Sequence, residues 1–219
     1  MKISLFFFLF IFSYQSFGIS KKYYEEKIHY RTVFGQCPSK VVGRLTLTLI
    51  KEFEKKKSLL DVKKKIVDEK LEEKYYLSSY KIDYNPLEKM IRFQYDCPKA
   101  LMKVQIYKND GEEFYTAILV DNGKLYDPTY EVLLRGEKKI TKDLPHLAIP
   151  ADLINSKVHK KLTSLLNNLG HKFVNRISEV ILSEKEELTT ILSIGRRPSS
   201  AFLGSEFWNE KVEKLNSIV

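Results

Sequence analysis

The stretch Tyr115-Thr-Ala-Ile-Leu-Val-Asp-Asn-Gly-Lys-Leu-Tyr-Asp127 decides how this chain is read. An apolar run ends in Asp121-Asn-Gly123. Asn and Gly accept the positive φ that a tight hairpin turn demands. The pattern predicts strands over Phe114 to Val120 and Lys124 to Tyr126. Upstream, Leu101 to Tyr107 runs into Asn109-Asp-Gly111, a second turn of the same kind. Downstream, residues 135 to 156 read as a loop, with Gly136, Pro145 and Pro150. Val158, Leu162, Leu165, Leu166 and Leu169 then share one helical stripe, and Gly170 is expected to end it at the C′ position. Ile177 to Leu182 and Leu188 to Ile194 predict a hairpin across Ser183-Glu-Lys-Glu-Glu187. Gly195-Arg-Arg-Pro198 reads as a turn, and Ser199 to Leu203 as a last short strand. Ser205 is expected to cap a final helix with Trp208, Val212, Leu215 and Val219 on one side. Residues 101–219 are therefore read as a mainly antiparallel β domain with two packed helices.

The first half has a different rhythm. Lys27 to Phe34 alternates as a strand does. Val42, Leu45, Leu49, Ile50 and Phe53 have helical spacing, although Thr46 and Thr48 favour it weakly. Asp61 reads as the cap of a second helix with Val62, Ile66 and Leu71 inward. Tyr80, Ile82 and Tyr84, then Ile91, Phe93 and Tyr95, alternate with polar residues on either side of Asn85-Pro-Leu-Glu-Lys89, as a hairpin with one solvated face requires. Residues 27–100 thus have the order strand, helix, helix, strand, strand. The boundary falls near residues 97–113, and no Gly/Ser linker marks it. The fold class is α+β.

Composition bounds the compartment and the partners. Among 219 residues, 43% are hydrophobic, enough for real cores, and the formal net charge is +9. Such a charge suits an anionic surface, either lipid headgroups or nucleic acid. Between Lys51 and Lys74, however, nine lysines meet seven Asp or Glu. That reads as a mixed, solvated helical face, so nucleic acid is not expected as a partner. The apolar run Ile3 to Phe12 has the length of a signal-peptide core, and Ser16-Phe-Gly18 offers small residues for cleavage. Residues 1–19 could equally serve as an uncleaved anchor, since Ile3 to Ile19 carries no charge. Residues 20–26 form a charged connector. Either fate of the leader implies export. In an oxidising compartment Cys37 and Cys97, both followed by proline, are open to a disulfide or to two unpaired thiols.

Catalytic patterns are missing. His29, His146, His159 and His171 show no metal-ligand spacing, and a solvated histidine is the reading for each. There is no GxSxG elbow, GxGxxG or P-loop. A thiol hydrolase using Cys97 is the only enzyme reading available, and no nucleophile signature surrounds that residue. The expectation is a protein that is not an enzyme, with no cofactor, no metal and no small-molecule substrate. What remains is a late strand whose outer border would be open to another chain. The residues expected to bind a partner there are Ile191, Ser193, Arg196, Arg197, Ser199, Ala201, Phe202 and Leu203. Trp208 is expected to anchor a core.

Several words, in order, resemble the FtsQ/DivIB family of bacterial cell-division proteins. Ser78 to Pro86 with Met90 to Ala100 is similar to that family's POTRA closing hairpin. Ala117 to Tyr126 is similar to its opening β-domain hairpin, and Leu144-Pro-His-Leu147 to its Leu-Pro-x-Leu loop. Ile177 to Leu182, Leu188 to Gly195 and Phe202-Leu-Gly204 with Lys211 and Leu215 resemble its closing hairpin, strand and helix. The resemblance implies a membrane or signal segment, then a POTRA-like domain, then a β domain. It implies a non-catalytic scaffold of the divisome, single-pass in the cytoplasmic membrane with its bulk outside the cytoplasm. Its partners for septum assembly would be FtsB/DivIC-like and FtsL-like bitopic proteins. The alternative is a secreted or periplasmic POTRA-type binding or chaperone module unrelated to division.

Overall fold

A computed structural model describes residues 27–108, 114–129, 144–194 and 197–218. The leader, the Asn109-Asp-Gly111 turn, Arg196 and Val219 lie outside the described residues. No helix among the described residues is long and apolar enough to cross a membrane. The chain is α+β, with two sheets and several helices.

The first sheet is built from β1 (His29–Val33), β2 (Ser79–Asn85) and β3 (Met90–Asp96) in the order β1-β3-β2. β1 runs parallel to β3, and β2 antiparallel to it. Between β1 and β2 lie α1 (Ser39–Lys56), α2 (Leu59–Asp68) and the single turn α3 (Leu71–Lys74). The two threonines do not break α1, because each hydroxyl bonds back into the helix. Thr46 Oγ1 donates to the Val42 carbonyl and Thr48 Oγ1 to that of Arg44. Asp61 is not the cap of α2. Ser58 holds that position, and its Oγ accepts from the Asp61 N–H at 3.3 Å. Asp61 instead lies in the first turn, where its charge suits the helix dipole. Leu71 is inward but belongs to α3. At the β2–β3 turn the Asn85 side chain accepts from the Leu87 and Glu88 N–H groups.

Cys37 and Cys97 are joined by a disulfide, resolving the open choice between bond and free thiols. It links the start of α1 to the segment that leaves β3. The adjoining Gly35 has φ +55°, and a Cβ there would sit 2.8 Å from the Tyr95 carbonyl oxygen, so only glycine fits.

The second sheet has seven strands in the order β10-β9-β8-β7-β4-β5-β6. They are β4 (Ala100–Tyr107), β5 (Phe114–Val120), β6 (Leu125–Tyr126), β7 (His146–Pro150), β8 (Ile177–Leu182), β9 (Leu188–Ile194) and β10 (Arg197–Gly204). The turn between β5 and β6 forms as its residues predict, with Gly123 at φ +80° and its N–H on the Val120 carbonyl.

The expected loop over residues 135–156 is corrected in its second part. His146–Pro150 is a strand and Ala151–Leu153 a 3-10 turn. β7 lies parallel to both β4 and β8, so the sheet is antiparallel at its flanks and parallel at its centre. The physical reason is the helix that follows. α4 (Lys157–Asn168) returns the chain to the same end of the sheet before β8, and such a crossover makes a parallel pair. Gly170 is also corrected. It has an extended φ of −64° and precedes a further turn, α5 (His171–Val174). The last helix, α6 (Trp208–Ile218), begins three residues beyond Ser205, and the Phe207 carbonyl accepts its first helical bond, from Lys211.

Two cores follow. One gathers Val42, Leu45 and Leu49 of α1, Ile66 of α2, and Ile91 and Phe93 of β3. The other gathers Val104, Leu119, Leu147, Val180 and Leu192 from one face of the second sheet, under Leu162 of α4 and Trp208 of α6. Ile118, Val120 and Tyr126 point from the opposite face of β5 and β6 into the first core.

Candidate interaction surface

β10 is the outermost strand of its sheet. On one side it pairs with β9 from Arg197 opposite Ile194 to Gly204 opposite Leu188. On its other side no strand among the described residues pairs with it. The strand is longer than expected and starts at Arg197, within the predicted turn. Pro198 is at home there, since an edge tolerates a missing N–H.

The register sorts its side chains. Ser199 and Ala201 lie opposite Leu192 and Thr190, both buried, on the face that α4 and α6 cover. Ser200 and Phe202 lie opposite Ile191 and Thr189 on the other face. Leu203, two residues beyond Ala201, falls on the same covered face and is 4% exposed, with a bulge beside it between Phe202 and Gly204. Leu203 is therefore not free to bind with its side chain. Its carbonyl is also taken, by Lys211 Nζ at 2.6 Å, and the neighbouring Gly204 carbonyl by Trp208 Nε1 at 2.6 Å. α6 thus closes the end of β10, and residues 197–200 and 202 stay exposed. Phe202 is 69% exposed, a large apolar ring in water.

Of the other expected binding residues, Ser193 and Arg197 are exposed and Ile191 is half-buried one strand in. The Ile191 carbonyl accepts from Ser178 Oγ, and the Ser193 N–H donates to Arg176. The sequence reading missed the rest of the face. Ala148, Ile181, Thr189 and Phe202 are successive register partners from β7 to β10. The first three are half-buried, and together they make a low apolar row that ends on the open border. Alternation in β8 and β9 would have placed them on one face, but it does not say which face a helix covers.

The opposite end of the sheet is closed and polar. A cleft of ≈ 420 Å³ is lined by Glu72, Glu73, Lys124 and Tyr126 among others. A second, of ≈ 560 Å³, is lined by Asn122, His159, Lys160, Thr163 and Asn167. The expectation of a solvated His159 is corrected: the residue is buried, 3% exposed. Its Nδ1 accepts from the Asn155 N–H at 3.0 Å, which puts the proton of the neutral ring on Nε2. Burial lowers its pKa. Among the described residues no group of three or more His, Cys, Asp and Glu is placed to hold a metal ion. Cys97, in its disulfide, offers no thiolate for the hydrolase reading.

No protein-family model matches the chain, and no curated protein matches it. Among solved structures, it aligns with the major extracytoplasmic domain of the trans isomer of the bacterial cell division protein DivIB from Geobacillus stearothermophilus. That alignment has 17% identity and a TM-score of 0.33, and covers 54% of this chain and 90% of the other. At that score the likeness carries no argument, and the functional reading rests on the surface itself.

Proposed function

We propose that this chain is a non-catalytic scaffold that recruits a partner by strand addition along β10. The observation that carries the reading is the open border over residues 197–202. Backbone groups there that no strand among the described residues pairs with can take up an incoming strand, while Phe202 and the row behind it select its side chains. Together with the order of motifs read from the sequence, this favours a scaffold of the FtsQ/DivIB kind. It would stand at the outer face of the cytoplasmic membrane, hold FtsB/DivIC-like and FtsL-like bitopic proteins, and serve septum assembly. The order of β1, α1, α2, β2 and β3 around a mixed three-stranded sheet supports a POTRA-like first domain. The disulfide supports an oxidising compartment.

The test is co-purification of the membrane-extracted chain with small bitopic proteins. Phe202→Asp places a charge on the exposed position and should reduce their recovery at least tenfold. Ala201→Asp is a poorer probe, because Ala201 lies opposite buried Thr190. Undiminished recovery with Phe202→Asp would rule out strand addition at this border.

A further inference from the structure

The helical layer over the first sheet sorts its charges in a way that a count along the chain hides. Glu52 and Glu69 do not face outward alone. Glu52 bonds Lys56 at 3.1 Å and Lys65 at 3.4 Å, and Lys65 bonds Glu69 at 2.9 Å. This chain of ion pairs runs along the seam where α1 meets α2. Those bonds hold the Glu52 carboxyl below its ordinary pKa and the Lys65 ammonium above its own. Both helices bury their inner faces in the same core, so their outer faces look the same way.

The exposed stripe that remains is basic and greasy. On α1 it carries Lys40, Arg44, Leu47 and Lys51, at spacings of three and four. On α2 it carries Leu60, Lys63, Lys64 and Val67. The five cations make no ion pair among the described residues. Leu47, Leu60 and Val67 are 61%, 76% and 68% exposed. The exposed acids on these helices are Glu54, whose Oε1 accepts from the Tyr30 hydroxyl, and Asp68.

We propose that this α1–α2 face docks on an anionic lipid bilayer. Aliphatic side chains set between cations match the interface of such a membrane. The alkyl groups sink to the acyl boundary while the long basic side chains reach the headgroup phosphates. An acidic protein would satisfy the cations but leaves three isolated, protruding aliphatics without a groove to fill. Docking would lay the first sheet flat on the membrane. It is independent of what binds β10.

The experiment uses the full chain in vesicles, with one environment-sensitive fluorophore on Leu60→Cys. The native cysteines are bonded to each other and buried, so the label goes to position 60. In vesicles of phosphatidylcholine with phosphatidylglycerol the emission should shift to the blue and be quenched by lipid-borne quenchers. In phosphatidylcholine alone, or at molar salt, it should report water. Each surface cation strengthens such binding about fivefold. Reversing Lys40, Lys51, Lys63 and Lys64 to Glu should therefore lower the docking equilibrium roughly a hundredfold or more, with circular dichroism unchanged. Emission indifferent to phosphatidylglycerol overturns the proposal, including the case in which polyglutamate shifts it instead. Lipid contact that survives the charge reversal overturns it as well.

Discussion

The two ends of the seven-stranded sheet are finished in opposite ways. At the β6 end both faces are covered. Leu119 faces the helices and Ile118, Val120 and Tyr126 face the first core, with the Tyr126 hydroxyl on the Leu77 carbonyl at 2.8 Å. At the β10 end one face is sealed by α6 and the other is wet. Among the described residues, the last strand at one end has two residues, which offer little to pair with, and the last at the other has eight, which offer a template. The longer unpaired border among the described residues is therefore the one at β10.

That contrast can be broken at several points. The largest effect is expected from Trp208→Ala. Trp208 is 2% exposed, bonds the Gly204 carbonyl and lies under Lys161 Nζ at 4.2 Å from the ring centroid. Its loss should cost about 4 kcal/mol in urea unfolding and loosen β10. A much smaller loss would mean that the β10 end is open on both faces. At the covered end, replacing Cys37 and Cys97 by serine releases a cross-link between residues 60 apart in sequence. A drop of about 4 kcal/mol is expected on loop entropy.

Tyr126→Phe removes the hydrogen bond from β6 to the Leu77 carbonyl, between α3 and β2, and should cost about 1 kcal/mol. The same tyrosine sharpens the contrast through pH. Burial, then Glu72, Glu73 and Asp121, pushes its hydroxyl up to about 12, and burial takes Tyr95 to about 12 as well. The unfolded chain releases these protons near pH 10, before the folded one does, so stability is lost as pH rises above that value. Tyr126→Phe should shallow that alkaline decline in a melting series.

His159 works in the other direction. Burial depresses its pKa, so the unfolded chain takes up a proton first as pH falls. Its contribution is complete above about pH 6.5 and declines below it. A variant with His159→Gln should show a weaker loss of melting temperature on acidification; an identical slope would mean that the histidine is not sealed. The smallest effect belongs to the open border. Phe202→Asp should shift stability by less than about 0.5 kcal/mol, because the ring already stands in water.

Much of the architecture was legible because period and punctuation agreed. Asn122-Gly123 with flanking apolar runs located β5 and β6, and the Tyr80 and Ile91 alternations located β2 and β3. The Cys37–Cys97 bond lay among the open choices. β7 was not legible. Five residues bounded by Pro145 and Pro150 look like loop, and a parallel pairing is fixed by the later crossover through α4. His159 was misjudged because its neighbour Lys160 is exposed, and the Asn155 N–H that meets its ring comes from a turn whose fold the sequence does not signal. The alternation of Ser199 to Leu203 located β10 itself, while its place at the border of the described sheet came from its pairing with β9 alone among the described strands. Leu203 shares a face with Ser199 and Ala201 by alternation, but that this is the face under α6 is fixed only by the packing of Trp208 and Val212. The segregation of lysines from glutamates needed the seam between α1 and α2.

The placement of the disulfide has a mechanical consequence. A pull entering at the N-terminal side would first load β1, whose five residues are aligned side by side with β3 and would resist in shear. If β1 gave way, tension would reach Cys37 and cross the sulfur bridge to Cys97, three residues before β4. Everything between the two cysteines would lie off the line of force. The helical layer and the β2–β3 hairpin would then hang from the chain as an unstressed loop, while the strain passed straight to the seven-stranded sheet.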